Sequence, residues 1–188
     1  VIIGSGVIGT TIARTLSKYQ LKLCVLEKEN DVANHQTLAN SAIVHSGHDP
    51  MPETLKAKLC VLGNKLYDQM SKELSIPLLH TGGFVVATSD EELEVLKTLY
   101  ERALQNGVKN VSILSKEQAL NLEPNLSENI KAVLSLPTTK VTFPWEVAFA
   151  NMENAIANGA ILKKNFHVTS ISYDKGIYQV ISKDHQSI

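Results

Sequence analysis

Three glycines near the start of the chain have a spacing with a chemical purpose. Gly4-Ser5-Gly6-Val7-Ile8-Gly9 follows the apolar Val1-Ile2-Ile3 and opens a segment in which Ile8, Ile12 and Leu16 recur every four residues beside Ala13. A strand, a turn and a helix in that order aim free N–H groups and the positive end of the helix dipole at an anion. Gly4 permits the tight turn, Gly6 lets the backbone approach a pyrophosphate, and Gly9 with Ala13 lets helix and strand pack closely. Glu27 ends the next apolar run, 23 residues after Gly4. That is close to the ~20-residue offset of an acid that binds ribose hydroxyls, and it favours an adenosine with a free 2′-hydroxyl. The residues of the turn and Glu27 are expected to hold a dinucleotide, and this unit alone leaves NAD and FAD both open.

A second polar cluster lies just beyond that strand, where a further stretch of cofactor would run. It reads His35-Gln36-Thr37, Asn40-Ser41, and then His45-Ser46-Gly47-His48-Asp49-Pro50 after the short apolar run Ala42-Ile43-Val44.

The elements that position these residues follow from periodicity and capping. A helix is predicted from Pro52 to Leu74, with Leu55, Leu59, Leu62, Leu66, Met70 and Leu74 on one stripe expected to pack in the core. Strands are predicted at Gly83–Thr88, Val111–Leu114, Ala132–Leu136 and Val141–Phe143. Ser89 with Glu92, and Ser115 with Gln118, read as helix starts closed by a capping box. The first of these helices should run to Asn106 and end at Gly107. Pro144 begins a helix that ends at Gly159, and Ala160–Lys163, Phe166–Ser172 and Gly176–Ile181 complete the strands. The expected organisation is residues 1–76 and 142–188 as a cofactor-binding domain, interrupted by a strand-rich insertion at 77–141.

Composition narrows the function classes. The 188 residues carry a formal net charge of −1, which leaves no electrostatic footprint for nucleic acid or an anionic bilayer. No stretch reaches the ~20 apolar residues of a membrane span, although peripheral association with a membrane stays open. Cys24 and Cys60 sit in apolar runs without metal-ligand spacing, so no metal site and a reduced, cytoplasmic setting are expected. Of the 18 basic residues only Arg14 and Arg102 are arginines, the preferred partners of phosphate and carboxylate. The anion-binding residues of any substrate site are therefore expected beyond Ile188. The first strand is shorter than the usual five or six residues, and the chain is read as cut at both ends.

The opening glycines with Val25-Leu26-Glu27-Lys28, His35-Gln36-Thr37, Asn40-Ser41, Ile43-Val44-His45-Ser46-Gly47 and Leu55-Lys56-Ala57-Lys58 together resemble one family. So do Gly83-Phe84-Val85-Val86-Ala87-Thr88 and Phe143-Pro144 with its helix. The chain is similar to the FAD-dependent oxidoreductases of the D-amino-acid-oxidase superfamily, nearest the glycerol-3-phosphate oxidases and dehydrogenases and the L-2-hydroxyglutarate oxidases. The resemblance implies an α/β fold, a Rossmann-like FAD-binding domain interrupted by a strand-rich α+β substrate or cap domain. It implies that Gly4, Ser5, Gly6, Val7, Ile8, Gly9, Glu27, Lys28, Gln36, Thr37, Ser41, Ala42, Ile43 and Val168 contact FAD. Ala42 stands where the hydroxyglutarate branch commonly has Gly, and His48-Asp49-Pro50 replaces its Tyr-rich stretch, which favours the glycerol-phosphate branch.

The implied reaction oxidises a secondary alcohol on a small anionic substrate, with O₂ or another electron acceptor as second partner. It needs a base for the hydroxyl proton, and histidine suits this because its ordinary pKa of ~6.5 leaves much of it neutral in the cell. His45 is the residue in the matching position; the alternative gives it a structural hydrogen bond, and His48 is the second candidate base. His35 is expected to brace its loop. The competing functions are L-2-hydroxyglutarate oxidation, an NAD-linked dehydrogenase, and a fragment that binds FAD without turnover.

Overall fold

The computed structural model describes residues 1–188, and its elements follow in chain order. They are β1 (Ile2–Ile3), α1 (Val7–Leu16), β2 (Cys24–Leu26), β3 (Ile43–Val44), α2 (Leu55–Leu74), β4 (Leu78–Leu79), β5 (Phe84–Ala87) and α3 (Asp90–Gln105). Then come β6 (Ser112–Ser115), α4 (Lys116–Leu122), β7 (Ala132–Ser135), β8 (Lys140–Thr142), α5 (Pro144–Ala157), β9 (Ile161–Lys163), β10 (Val168–Asp174) and β11 (Ile177–Ser182). The fold is mixed α/β, as expected. Packing divides it into two units, Val1–Ser41 with Phe143–Ile188, and Ala42–Thr142.

The first unit is built on a parallel sheet of order β1-β2-β9, with Ile2 opposite Val25 and Cys24 opposite Ile161. One face carries α1 and α5, which pack on each other over Val25, Ala13, Ala148, Met152 and Ala155. Alanines at the helix contact let the two axes approach closely, and Pro144 at the first position of α5 supplies its fixed φ. On α1 the buried side chains are Thr10 and Ala13, while Ile8 and Ile12 of the predicted apolar face are exposed. A smaller cluster joins Leu26 to Phe166 and Val180 of the β10–β11 segment. That hairpin turns through Lys175 and Gly176, both at positive φ, as a two-residue hairpin loop requires.

The second unit contains an antiparallel sheet of order β5-β7-β6, whose central strand is buried along its whole length. Successive residues of β7 serve opposite faces, as the strand period of two dictates. Leu134 packs with Leu96 and Ala103 of α3, and Val133 with Ala119 of α4. Both predicted capping boxes form, Ser89 with Glu92 and Ser115 with Gln118. A second sheet, β3-β8-β4, sets Ile43 opposite Val141 and Leu78 opposite Thr142. The two-residue β4 was not predicted, being too short to show a period.

Two expectations meet a different arrangement. The α2 helix begins at Leu55, because the Thr54 hydroxyl accepts the Ala57 N–H. Its leucine stripe is not core: Leu55 is 69% exposed and Leu59, Leu62 and Leu66 are each at least 50% exposed. The face turned inward carries Ala57, Val61 and Asn64 instead. The packing unit that includes the expected insertion at 77–141 begins at Ala42. Residues 42–76 pack with the insertion because β3 pairs with β8 and Asn64 bonds to Thr138. Cys24 and Cys60 are free thiols, and no helix is long and apolar enough to cross a membrane.

Candidate cofactor site

The glycine turn is fixed by contacts that few side chains would survive. The Gly4 N–H donates to Leu26 O at 2.8 Å, and its φ of +98° is open to glycine. A Cβ on Gly9 would lie 2.0 Å from the Gly4 carbonyl oxygen, so α1 can begin this close to β1 only without a side chain there. Gly6 is the N-cap of α1 and offers no side-chain cap, and the first turn contains no acid to compete with an incoming anion. Thr37, buried and 30 residues distant, accepts the Val7 N–H on its hydroxyl at 3.0 Å. That bond brings the Gln36-Thr37 segment against the turn.

Glu27 is held equally firmly. Its Oε2 accepts the Ser5 N–H at 2.7 Å and the Ser5 hydroxyl at 2.8 Å, and its Oε1 accepts the Glu29 N–H at 3.0 Å. Burial works to raise its pKa. The hydrogen bonds from the Ser5 N–H, the Glu29 N–H, the Ser5 hydroxyl and the Lys28 N–H outweigh it and hold the carboxyl below its ordinary range. At neutral pH the group is therefore an ionised acceptor, the state needed to take hydrogen bonds from sugar hydroxyls.

Around this turn lie two clefts of the first unit. One, of about 370 Å³, is lined by Gly4, Gly6, Glu27, Lys28, Gln36, Thr37 and Val168. The other is lined by Gly6, Val7, Ile8, Gly9 and Ile12, and the two share Ile3, Gly4, Gly6, Gln36 and Thr37. The exposed Ile8 and Ile12 thus form one wall of a cleft. Ser41 is exposed and lines neither. Ala33 and Asn34 line the first cleft without a signal in the sequence, and Phe166 and His167 line it in the segment that leads into Val168. They share no spacing with the glycines, although His167 adjoins Val168. His35 braces its loop as expected, its Nε2 lying 2.7 Å from Glu29 Oε1.

The remaining predicted residues, Ala42, Ile43 and His45, stand in the second unit. Ala42 has a φ of +62° and leads into β3, where Ile43 is exposed. The His45 side chain is exposed, and its carbonyl accepts from the Asn64 amide at 3.1 Å. His48 is half-buried, with Nδ1 3.1 Å from the Ser46 hydroxyl. Burial lowers its pKa, against a raising effect of Asp49 and with a smaller lowering one from His45.

A helix start whose first turn holds no acid, a turn that a Cβ would fill and an ionised acid beside it fit the adenosine diphosphate half of FAD. The glycerol 3-phosphate dehydrogenase of Caloramator mitchellensis is 46% identical over 181 residues, 96% of this chain and 38% of that protein. The mitochondrial L-2-hydroxyglutarate dehydrogenase of Dictyostelium discoideum is 41% identical over 150 residues, 78% of this chain and 33% of that one. Among solved structures, the dithionite-reduced L-α-glycerophosphate oxidase of Mycoplasma pneumoniae with FAD bound superposes with a TM-score of 0.91 at 32% identity. It is matched over 97% of this chain and 49% of its own. The chain therefore spans between a third and a half of the length of these relatives. The family model for FAD-dependent oxidoreductases matches residues 1–188. The cofactor is thereby FAD rather than NAD, and the chain belongs to the DAO family of FAD-dependent oxidoreductases.

Proposed function

We propose that the full-length protein oxidises sn-glycerol 3-phosphate to dihydroxyacetone phosphate. When bound, FAD supplies the acceptor for the carbon-bound hydrogen as a hydride, and O₂ takes up the two electrons with two protons to leave as H₂O₂. The α1 N-terminus, in the turn of Gly4, Ser5, Gly6, Val7, Ile8 and Gly9, would face the pyrophosphate with the positive end of its dipole, while the N–H groups of Gly4, Ser5 and Val7 hold the turn to Leu26, Glu27 and Thr37. Glu27 and Lys28 hold the adenosine ribose, Gln36, Thr37 and Ser41 the adjoining stretch, and Val168 the adenine through its backbone. Ala42 and Ile43 run along the flavin, and His45 takes the hydroxyl proton at its imidazole as the alcohol becomes a ketone. Residues 1–76 and 142–188 would then share the cofactor, with 77–141 as the substrate or cap segment.

The observation that carries the reading is the glycine turn with its anchored acid, set beside relatives named for glycerol 3-phosphate. Relatives named for L-2-hydroxyglutarate match as well, so that acid is the competing substrate. A steady-state peroxide assay of the full-length flavoprotein with each compound separates them. Peroxide with glycerol 3-phosphate is expected, and activity with hydroxyglutarate alone would overturn the assignment. Flavin reduction by glycerol 3-phosphate without peroxide would keep the substrate and replace O₂ by another acceptor. A cytoplasmic setting belongs to the same proposal, and fractionation of the native cells tests it.

A further inference from the structure

The segment from Val44 to Pro50 carries His45 and His48 and leaves β structure after Val44, so its carbonyl groups need donors from elsewhere. Side chains from two helices supply them. The Asn64 amide, in the middle of α2, donates to His45 O at 3.1 Å, to Thr138 O at 2.8 Å and more weakly to Val44 O at 3.4 Å. The Asn106 amide, at the C-cap of α3, donates to Gly47 O at 2.9 Å and Pro50 O at 2.8 Å. Arg102, one turn earlier, donates to Asp49 O at 2.8 Å.

Asparagine is a poor choice for a helix interior, because its side chain competes for backbone groups. Asn64 is 6% exposed there, and its hydrogen bonds rather than its helix propensity account for it. Lys140 fixes the turn from which it reaches. The Lys140 side chain is 5% exposed and donates to Asn64 O at 2.8 Å and Asp68 Oδ2 at 2.7 Å. A Cβ on Gly47 would meet Val61 Cγ2 at 2.5 Å, so the loop lies directly on α2.

We propose that Asn64 and Asn106 are positioning residues for His45. They grip the backbone on both sides of it, from α2 and from the end of α3, and so set the direction of the exposed imidazole. The inference rests on the reading of His45 as the base. Each amide acts through loop carbonyls rather than on the reacting atoms. A base must come within hydrogen-bond reach of its proton, and a displacement of about 1 Å can cost ~10²-fold in rate.

The test is a double-mutant cycle on the rate of flavin reduction by saturating glycerol 3-phosphate. It is measured anaerobically by stopped-flow absorbance in the full-length flavoprotein, with FAD per chain determined alongside. Asn64→Ala and Asn106→Ala are each expected to slow reduction roughly 10- to 100-fold at near-wild-type FAD content. With His45→Ala already present, each should change the rate by less than about twofold, since the group they position is gone. Equal slowing in both backgrounds, or no slowing in the wild-type background, overturns the positioning role while His45 remains the base. A wild-type rate from His45→Ala overturns the base, and positioning with it. If Asn64→Ala fails to fold, Asn106→Ala carries the same cycle from the other side of the loop.

Discussion

The two segments that hold glycine against a neighbour do so by different means. In the opening turn the obstacle to a Cβ on Gly9 is the backbone of Gly4, five residues earlier, at 2.0 Å. In the 44–50 loop the obstacle at Gly47 is a side chain, Val61, at 2.5 Å, and the carbonyls are satisfied by Asn64, Arg102 and Asn106. The first obstacle is local backbone within the glycine motif itself. The second is assembled from partners 14 to 59 residues away.

The sharpest way to break that contrast is to ask whether binding and reaction separate. His45→Ala is expected to lower turnover roughly 10²- to 10⁴-fold, the usual worth of a general base. FAD per chain, read from the visible spectrum, should stay near the wild-type value. Loss of flavin with turnover would make His45 chiefly a cofactor residue, and unchanged turnover would move the base elsewhere.

The glycines come next in size. Gly9→Ala sets Cβ against backbone that cannot rotate away, so a loss of about 3 kcal/mol or more and of most FAD is expected. Gly47→Ala meets a valine that can turn, yet its φ of +101° remains costly, and about 1–2 kcal/mol is expected. Urea unfolding with and without Val61→Ala sharpens the point. The second substitution should recover part of the Gly47→Ala loss, whereas recovery of none of it would place the whole cost in the backbone.

This contrast also explains what the sequence made legible. The glycine turn, both capping boxes and Pro144 are signals written within a few residues, and each forms the local structure expected of it. The leucine stripe of α2 shows where that logic stops. Periodicity reports that a face is apolar, but not which face meets the rest of this chain, and the face turned inward is marked by Asn64 rather than by leucine. A lone asparagine among Val61, Leu62 and Leu66 was the available clue, since a helix interior gains nothing from it. Arg102 is the converse case. No role in a substrate site is expected of it from the sequence, and no spacing marks it as the donor to the Asp49 carbonyl that it is.

Support for the loop can be probed one step further out. Lys140→Met removes the buried ammonium that joins Asn64 O to Asp68, while Asp68 keeps access to water and lies 3.4 Å from His80 Nε2. Hydrogen bonds to charged groups are worth about 1.5–3 kcal/mol, and replacement by a side chain of similar length offsets part of that. A loss of about 1–2 kcal/mol in urea unfolding is therefore expected. An unchanged midpoint would mean that α2 holds Asn64 in place without the lysine.

The smallest expected effect belongs to the opening turn and has a definite sign. Glu27 has a folded-state pKa below its ordinary value, so between the two the unfolded chain binds more protons than the folded one. The stabilisation is complete above the ordinary carboxylate range, near pH 4.3 for glutamate, and is lost as pH falls through the lower folded value. Glu27→Gln cannot titrate. Its stability, followed by thermal unfolding as pH is lowered from 6 through the carboxylate range, should therefore fall less steeply than that of the unsubstituted protein. The same substitution places an amide, which can donate as well as accept, opposite the Ser5 N–H and hydroxyl at 2.7 and 2.8 Å, so some stability should also be lost at neutral pH. Parallel acid limbs for the two proteins would show that the Ser5 and Glu29 donors do not hold the carboxylate in its charged form, and the anchored acid would lose its electrostatic basis.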